Sequence, residues 1–149
     1  MKKILTPVIA AIALFLTKPE YLSAQTHNLV VISNPKGAQG DLTRAELTSI
    51  MKGEKQRWKD GTGITIALMK SSTATGEAIA KKVYGMTGDG INKYWLALVF
   101  QGKAKAPAFF NSASDLETFV SQTPGAIGIV EESTDLKLKP LSVDGKKSF

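Results

Sequence analysis

Four hydroxyl side chains, Ser71, Ser72, Thr73 and Thr75, fall within five consecutive positions at the entrance to a segment whose apolar residues, Ile79 and Val83, have helical spacing. A helix start leaves backbone N–H groups unpaired and carries the positive end of the helix dipole, so donors gathered there suit an oxyanion. With Ala74 between them, the candidate ligand-binding residues are Ser71, Ser72, Thr73, Ala74 and Thr75. The same residues carry a plainer reading, in which Thr73 or Ser72 simply caps the helix. Catalytic chemistry has little to work with. His27 is the only histidine and is expected in a flexible terminus that cannot hold a base in place, and cysteine is absent, which leaves no Ser-His-Asp triad, thiolate nucleophile or zinc cluster. The carboxylates Asp60, Asp89, Asp115 and Glu117 stand at turns and helix starts, where they read as caps. No catalytic residue, metal site or cofactor is expected, and the chain is not expected to be an enzyme.

The elements that must position this cluster are read from period and punctuation. Leu29-Val30-Val31-Ile32 is a buried strand entering a loop at Ser33, Asn34, Pro35 and Gly37. Thr43 and Glu46 form a capping box for a helix with Leu47, Ile50 and Met51 on its inner face, stopped by Gly53. Trp58, Asp60, Gly61 and Gly63 make a turn, with Trp58 anchoring it, and Ile64 to Met69 is a second strand. The helix after Thr73 ends near Gly85. Another begins near Asp89, buries Ile91, Tyr94, Trp95 and Leu98, and ends at Gly102. Lys103 to Asn111, with Pro107, reads as an extended connection. Ser114 and Glu117 form a second capping box for a helix burying Leu116, Phe119 and Val120. Ala126 to Val130 and Leu136 to Leu141 read as the last two strands. This order predicts an α/β fold with helices packed around a small central mixed sheet. The loop from Ser33 to Gly40 is expected near the hydroxyl cluster, since sites in such sheets lie beyond the carboxyl ends of strands.

The N-terminus has a leader's layout: Lys2 and Lys3 precede an apolar run from Ile4 to Leu16, and small residues follow at Ser23 and Ala24. The run is short of the ~20 residues that span a bilayer, so residues 1–24 are read as a signal peptide cleaved before Gln25, and the protein as periplasmic. Residues 25–143 then form one domain and 144–149 a flexible tail. The leader holds three lysines and one glutamate, so the formal charge of +6 falls to +4 without it. The surplus is dispersed among Lys52, Lys55, Arg57 and Lys59, Lys103 and Lys105, and Lys146 and Lys147. No basic stripe with interleaved aromatics marks a nucleic-acid surface.

Leu42-Thr43, Glu46-Leu47, Ile50, Gly53, Trp58, Asp60-Gly61, the Ser/Thr turn and Pro124-Gly125-Ala126-Ile127-Gly128-Ile129 together resemble the phosphate-type family of periplasmic solute-binding proteins, over about residues 28–141. The resemblance implies a single lobe of a periplasmic-binding-protein-like fold, where the complete receptors have two. It also implies weak binding of phosphate or a related oxyanion for an ABC-type uptake system, with an inner-membrane transporter as partner. The family's Ser-Gly-Thr stretch lies on Thr73, Ala74 and Thr75. Its anion-pairing arginine falls on Met69, and its central glycine on Ala74, which puts a methyl group where the backbone meets the ligand. The alternative is a ligand-free accessory or sensory interaction module of the cell envelope, docking through Arg57, Trp58 and Lys59.

Overall fold

Every residue of the expected first strand is buried, and a strand apolar at every position must be covered on both faces. The computed structural model describes residues 26–38 and 40–149, and the expected leader, 1–24, lies outside them. The elements are β1 (Leu29–Ser33), α1 (Arg44–Met51), β2 (Thr65–Met69), α2 (Ala74–Ile79) with a π-helical turn after it (Ala80–Tyr84), α3 (Gly88–Phe100), β3 (Ala108–Phe110), α4 (Ala113–Gln122) and β4 (Ala126–Glu131). The strands make one mixed sheet in the order β1-β4-β2-β3. β2 is parallel to β3 and β4, and β1 is antiparallel to β4.

Strand alternation assigns the two faces. A side chain at Gly128 would strike Leu116 of α4, so Ala126, Gly128 and Val130 face α4. Ile127, Ile129 and Glu131 face the other way, where Thr75 of α2 reaches Glu131. α4 therefore covers one face, and α2 with its π turn covers the other, joined there by α1 and α3. Asn34 ties β1 to α4: its side-chain amide donates to the carbonyls of Val120 and Ser121 at 3.0 and 2.9 Å, capping a helix end that would otherwise leave them unpaired.

Two tyrosines close the end of α1. The hydroxyl of Tyr84, in the π turn, donates to Met51 O at 2.6 Å, and that of Tyr94 to Lys52 O at 2.7 Å. Burial raises the Tyr84 phenol above its ordinary value, with a smaller opposing pull from Trp95. The Trp95 indole N–H is the one buried side-chain polar atom among the described residues with no hydrogen-bond partner of its own.

At the start of β2 and β4, Trp58 is buried and its indole N–H donates to Gly125 O at 2.9 Å, so the tryptophan anchors the turn as expected. Gly125 has φ of +79°, and a Cβ there would stand 2.1 Å from Gly63 O. Glycine is required on both counts.

Three local expectations are corrected and one gains detail. Within the extended connection from Lys103 to Asn111, Ala108–Phe110 pairs with β2, from Ala67↔Ala108 to Met69↔Phe110. Leu136 to Leu141 is not a strand. The carboxylate of Glu117 takes the amides of Lys137 and Leu138 at 2.5 and 2.6 Å, Pro140 has none to give, and Leu141 alone bridges to Val31. Glu117 is accordingly no cap of its own helix. α4 is capped by Ser112, which accepts from Asp115 N, rather than by Ser114. At α1 the capping box is half formed: Thr43 accepts from Glu46 N, while the Glu46 carboxylate pairs with Lys55. The 144–149 segment runs beside β1, where Phe149 and Leu29 exchange two backbone hydrogen bonds of 3.0 Å and the Phe149 ring lies 4.5 Å from the Arg44 guanidinium carbon.

Gly125→Ala combines a left-handed φ with a backbone collision, so it is expected to cost at least about 3 kcal/mol and lower Tm by about 10 °C in calorimetry. Tyr84 gives a pH test. Its folded pKa is raised, so its stabilisation is complete below the unfolded value of about 10 and is lost as pH rises beyond it. Denaturant titrations should show stability falling above pH ~10, with a shallower fall in Tyr84→Phe.

Candidate functional site

The parallel strand β2 delivers the chain to the hydroxyl cluster. Lys70 N donates to Phe110 O at 2.8 Å, and Thr73 N turns back to Lys70 O at 2.9 Å, making a tight turn between β2 and α2. Gly76 packs so closely on this turn that a Cβ would stand 2.0 Å from Lys70 O. The tip of α2 is thereby pinned directly above the end of β2.

The five expected residues come together at this tip and divide by what each has left to offer. Thr73 is the N-cap: its hydroxyl donates to Lys70 O at 2.7 Å and accepts from Gly76 N at 3.0 Å, so its one proton is committed to the protein. Thr75 directs its hydroxyl to Glu131 Oε2 at 3.3 Å. Ser71 accepts from Asn92 Nδ2 at 3.3 Å and keeps its own proton free. Ser72 and Ala74 are exposed. Among the described residues, the Ser72 hydroxyl and the amides of Ala74 and Thr75 have no partner; the amides are the first two of the helix, which have no intrahelical acceptor.

Carboxylates rather than guanidinium groups flank this tip. Glu131, the last residue of β4, bonds Thr75 through one oxygen and His27 Nδ1 through the other at 3.2 Å. Glu77 accepts from Gly88 N at 3.0 Å, occupying the first amide of α3. Ser71, Ser72, Glu77, Thr87, Gly88 and Asp89 line an open depression of about 380 Å³ between the two helix starts. Met69, which stands where the resemblance implies an arginine, is buried. Cations are present: Lys70 opens the turn and is exposed, Lys81 lies 3.9 Å from Glu77, and Lys82 bonds His27 O at 2.6 Å.

Two expectations about the surroundings fail. The loop 33–40 is at the opposite end of the sheet from the hydroxyl cluster. Ser33 pairs with Ile127, which pairs with Ile66 at the start of β2, because β1 is antiparallel and the carboxyl-end rule applies to parallel strands. The patch at Arg57, Trp58 and Lys59 lacks its aromatic, since Trp58 is buried. The sequence reading missed Glu131, His27 and Asn92. Only Glu131 left a signal: it keeps the alternation of Ile127 and Ile129, so it had to emerge on the α2 face.

No family model and no curated protein matches the sequence. Solved structures do match. An ABC-type phosphate transport receptor from Vibrio cholerae superposes with a TM-score of 0.62 at 20% identity, over 82% of this chain and 48% of that one. PstS from Borrelia burgdorferi gives 0.59 at 22%, over 80% and 48%. A structure from Clostridium perfringens with bound phosphate gives 0.62 at 17%, over 81% and 46%. The chain spans about half the length of the structures it matches, and its fold is that of a single lobe of a periplasmic-binding-protein-like fold.

Capping and ligand binding make different demands on neighbouring threonines. Thr73→Ala removes the cap and is expected to cost about 1 kcal/mol in urea unfolding. Thr75→Ala should cost less than about 0.5 kcal/mol, and equal losses would show that Thr73 is not what holds the start of α2.

Proposed function

We propose that this chain is a solute-binding lobe that holds a phosphate-class oxyanion weakly at the first turn of α2 and passes it to an ABC-type membrane transporter. The observation that carries the reading is the set of unpaired donors at one exposed tip: the amides of Ala74 and Thr75 and the hydroxyl protons of Ser71 and Ser72. A phosphate transport receptor and a structure with bound phosphate among the matches support the ligand class. The layout of residues 1–24 supports export to the periplasm, with 25–143 as the binding domain.

Weak binding follows from the chemistry. Charge-assisted hydrogen bonds to a dianion are favourable, but an exposed tip keeps much of its water and has no bidentate arginine. Affinity near 1 mM, about 4 kcal/mol, is the appropriate scale. A single lobe also leaves one side of the anion in solvent, so tighter capture requires a covering surface from a partner lobe or a second copy.

Glu131 favours a second reading, the ligand-free envelope module, because a carboxylate 3.3 Å from Thr75 Oγ1 already sits where an anion's charge would fall. Phosphate titration followed by phosphorus NMR separates the two. The binding lobe requires saturable exchange that weakens severalfold in Ser71→Ala/Ser72→Ala and tightens about fivefold in Glu131→Gln, which removes a like charge worth about 1 kcal/mol in water. If neither the parent nor Glu131→Gln shows saturable binding, the solute-binding reading is wrong and the module remains.

A further inference from the structure

The solvent face of α3 carries three large apolar side chains that nothing in the fold covers: Leu96 is 61% exposed, Val99 42% and Phe100 86%. They follow the i, i+3, i+4 spacing of one helical stripe. Lys93, one turn before Leu96, lies on the same stripe, and Lys103 follows just beyond the helix end, with Lys105 two residues on. All three lysines are exposed, and among the described residues none is in an ion pair. Beside the C-terminal half of α3 opens a cleft of about 270 Å³ whose lining includes Trp95, Lys105 and Arg57 and no carboxylate. Glu54 is exposed and belongs to the segment that meets the end of α3 through Gln56, whose amide donates to Lys103 O at 2.6 Å; it is one carboxylate beside a border that also holds Lys103, Lys105 and Arg57. Asp89 is at the far end of α3.

We propose that this stripe and its cationic border dock the protein on an anionic bilayer surface, with Leu96, Val99 and Phe100 entering the headgroup boundary and the lysines and Arg57 meeting lipid phosphates. An apolar ridge edged by free cations is the pattern that partitions into an anionic interface. Phe100 is the most exposed of the three and ends the helix, and unpaired lysines suit a plane of headgroups better than a fixed set of protein carboxylates. A second copy is disfavoured by charge: an antiparallel pairing of two α3 stripes sets Lys93 of each against Lys103 of the other. The surface is independent of the α2 tip. α3 starts beside Ser71 and carries Phe100 about 18 Å further along its axis.

Sedimentation with phosphatidylglycerol-rich and with pure phosphatidylcholine vesicles tests the proposal. Because Ile4 to Leu16 is itself apolar, each variant is compared with the parent chain bearing the same N-terminus. The parent is expected to bind the anionic vesicles preferentially. Leu96→Ser/Phe100→Ser and Lys103→Gln/Lys105→Gln should each weaken that binding about tenfold or more, with circular dichroism unchanged. Variants that bind like the parent, or a parent indifferent to lipid charge, overturn the proposal. A concentration-dependent dimer in sedimentation velocity that Leu96→Ser/Phe100→Ser abolishes would replace the bilayer with a second copy. Capture on a membrane protein without any binding to protein-free vesicles would replace it with a protein partner.

Discussion

The backbone of Gly125 joins three segments at one point. Its N–H donates to Lys36 O at 2.5 Å, and its carbonyl accepts from Thr65 N at 3.2 Å and from the Trp58 indole at 2.9 Å. Gly37 closes against the same indole, where a Cβ would come within 2.8 Å of its nitrogen. Parallel strands have no hairpin to set their register, so this junction starts β2 and β4 level with each other, at Thr65↔Ala126. Carried upward along the pair, that register brings Glu131 out just beyond the level of Met69, beside the first turn of α2. A slip of one residue would turn Glu131 toward α4 and remove it from the tip. The electrostatics of the candidate site are thus fixed at the far end of the sheet.

What could be read from the sequence was local. β1, the α1 stripe, the Trp58 anchor, the stop at Gly85 and the helix through Trp95 each follow from a period of apolar residues and a nearby cap or glycine. Apart from the α4 cap, which moves locally from Ser114 to Ser112, the failures involve distant partners. β3 is three residues long beside a proline and exists because β2 offers an edge. Leu136 to Leu141 has a strand's composition, but a carboxylate 20 residues earlier takes its amides. The antiparallel direction of β1, which sends the 33–40 loop away from the hydroxyl cluster, depends on its pairing with β4, almost a hundred residues later. The π turn that lets Tyr84 reach Met51 left no local mark either.

The candidate site was legible in position and ambiguous in meaning, for a physical reason. Thr43, Thr73, Thr87 and Ser112 each accept from the amide three residues ahead, so a hydroxyl at a helix start is the general device of this chain. Thr73 is no exception, and its proton is spent on Lys70 O. What distinguishes the α2 tip is the donors left over, at Ser71, Ser72, Ala74 and Thr75, and the carboxylate that faces them. Residue type announces a cap; only the hydrogen-bond inventory separates a satisfied cap from one with capacity to spare.

Glu131 also changes what kind of binding this tip can perform. An arginine at the position of Met69 would add positive charge and a rigid fork, favouring long residence of a phosphate. Here the site has a negative charge of its own, held between Thr75 and His27, that competes for the same donors. An anion entering the tip must displace the Glu131 carboxylate from Thr75 or tolerate it a few ångströms away, and either cost lowers affinity and speeds release. The same group becomes an asset if a cationic surface covers the tip, since Glu131 can then turn from the anion to the partner while the amides of Ala74 and Thr75 keep their hold. On the solute-binding reading, a tip with this arrangement suits brief contact with an anion better than long retention.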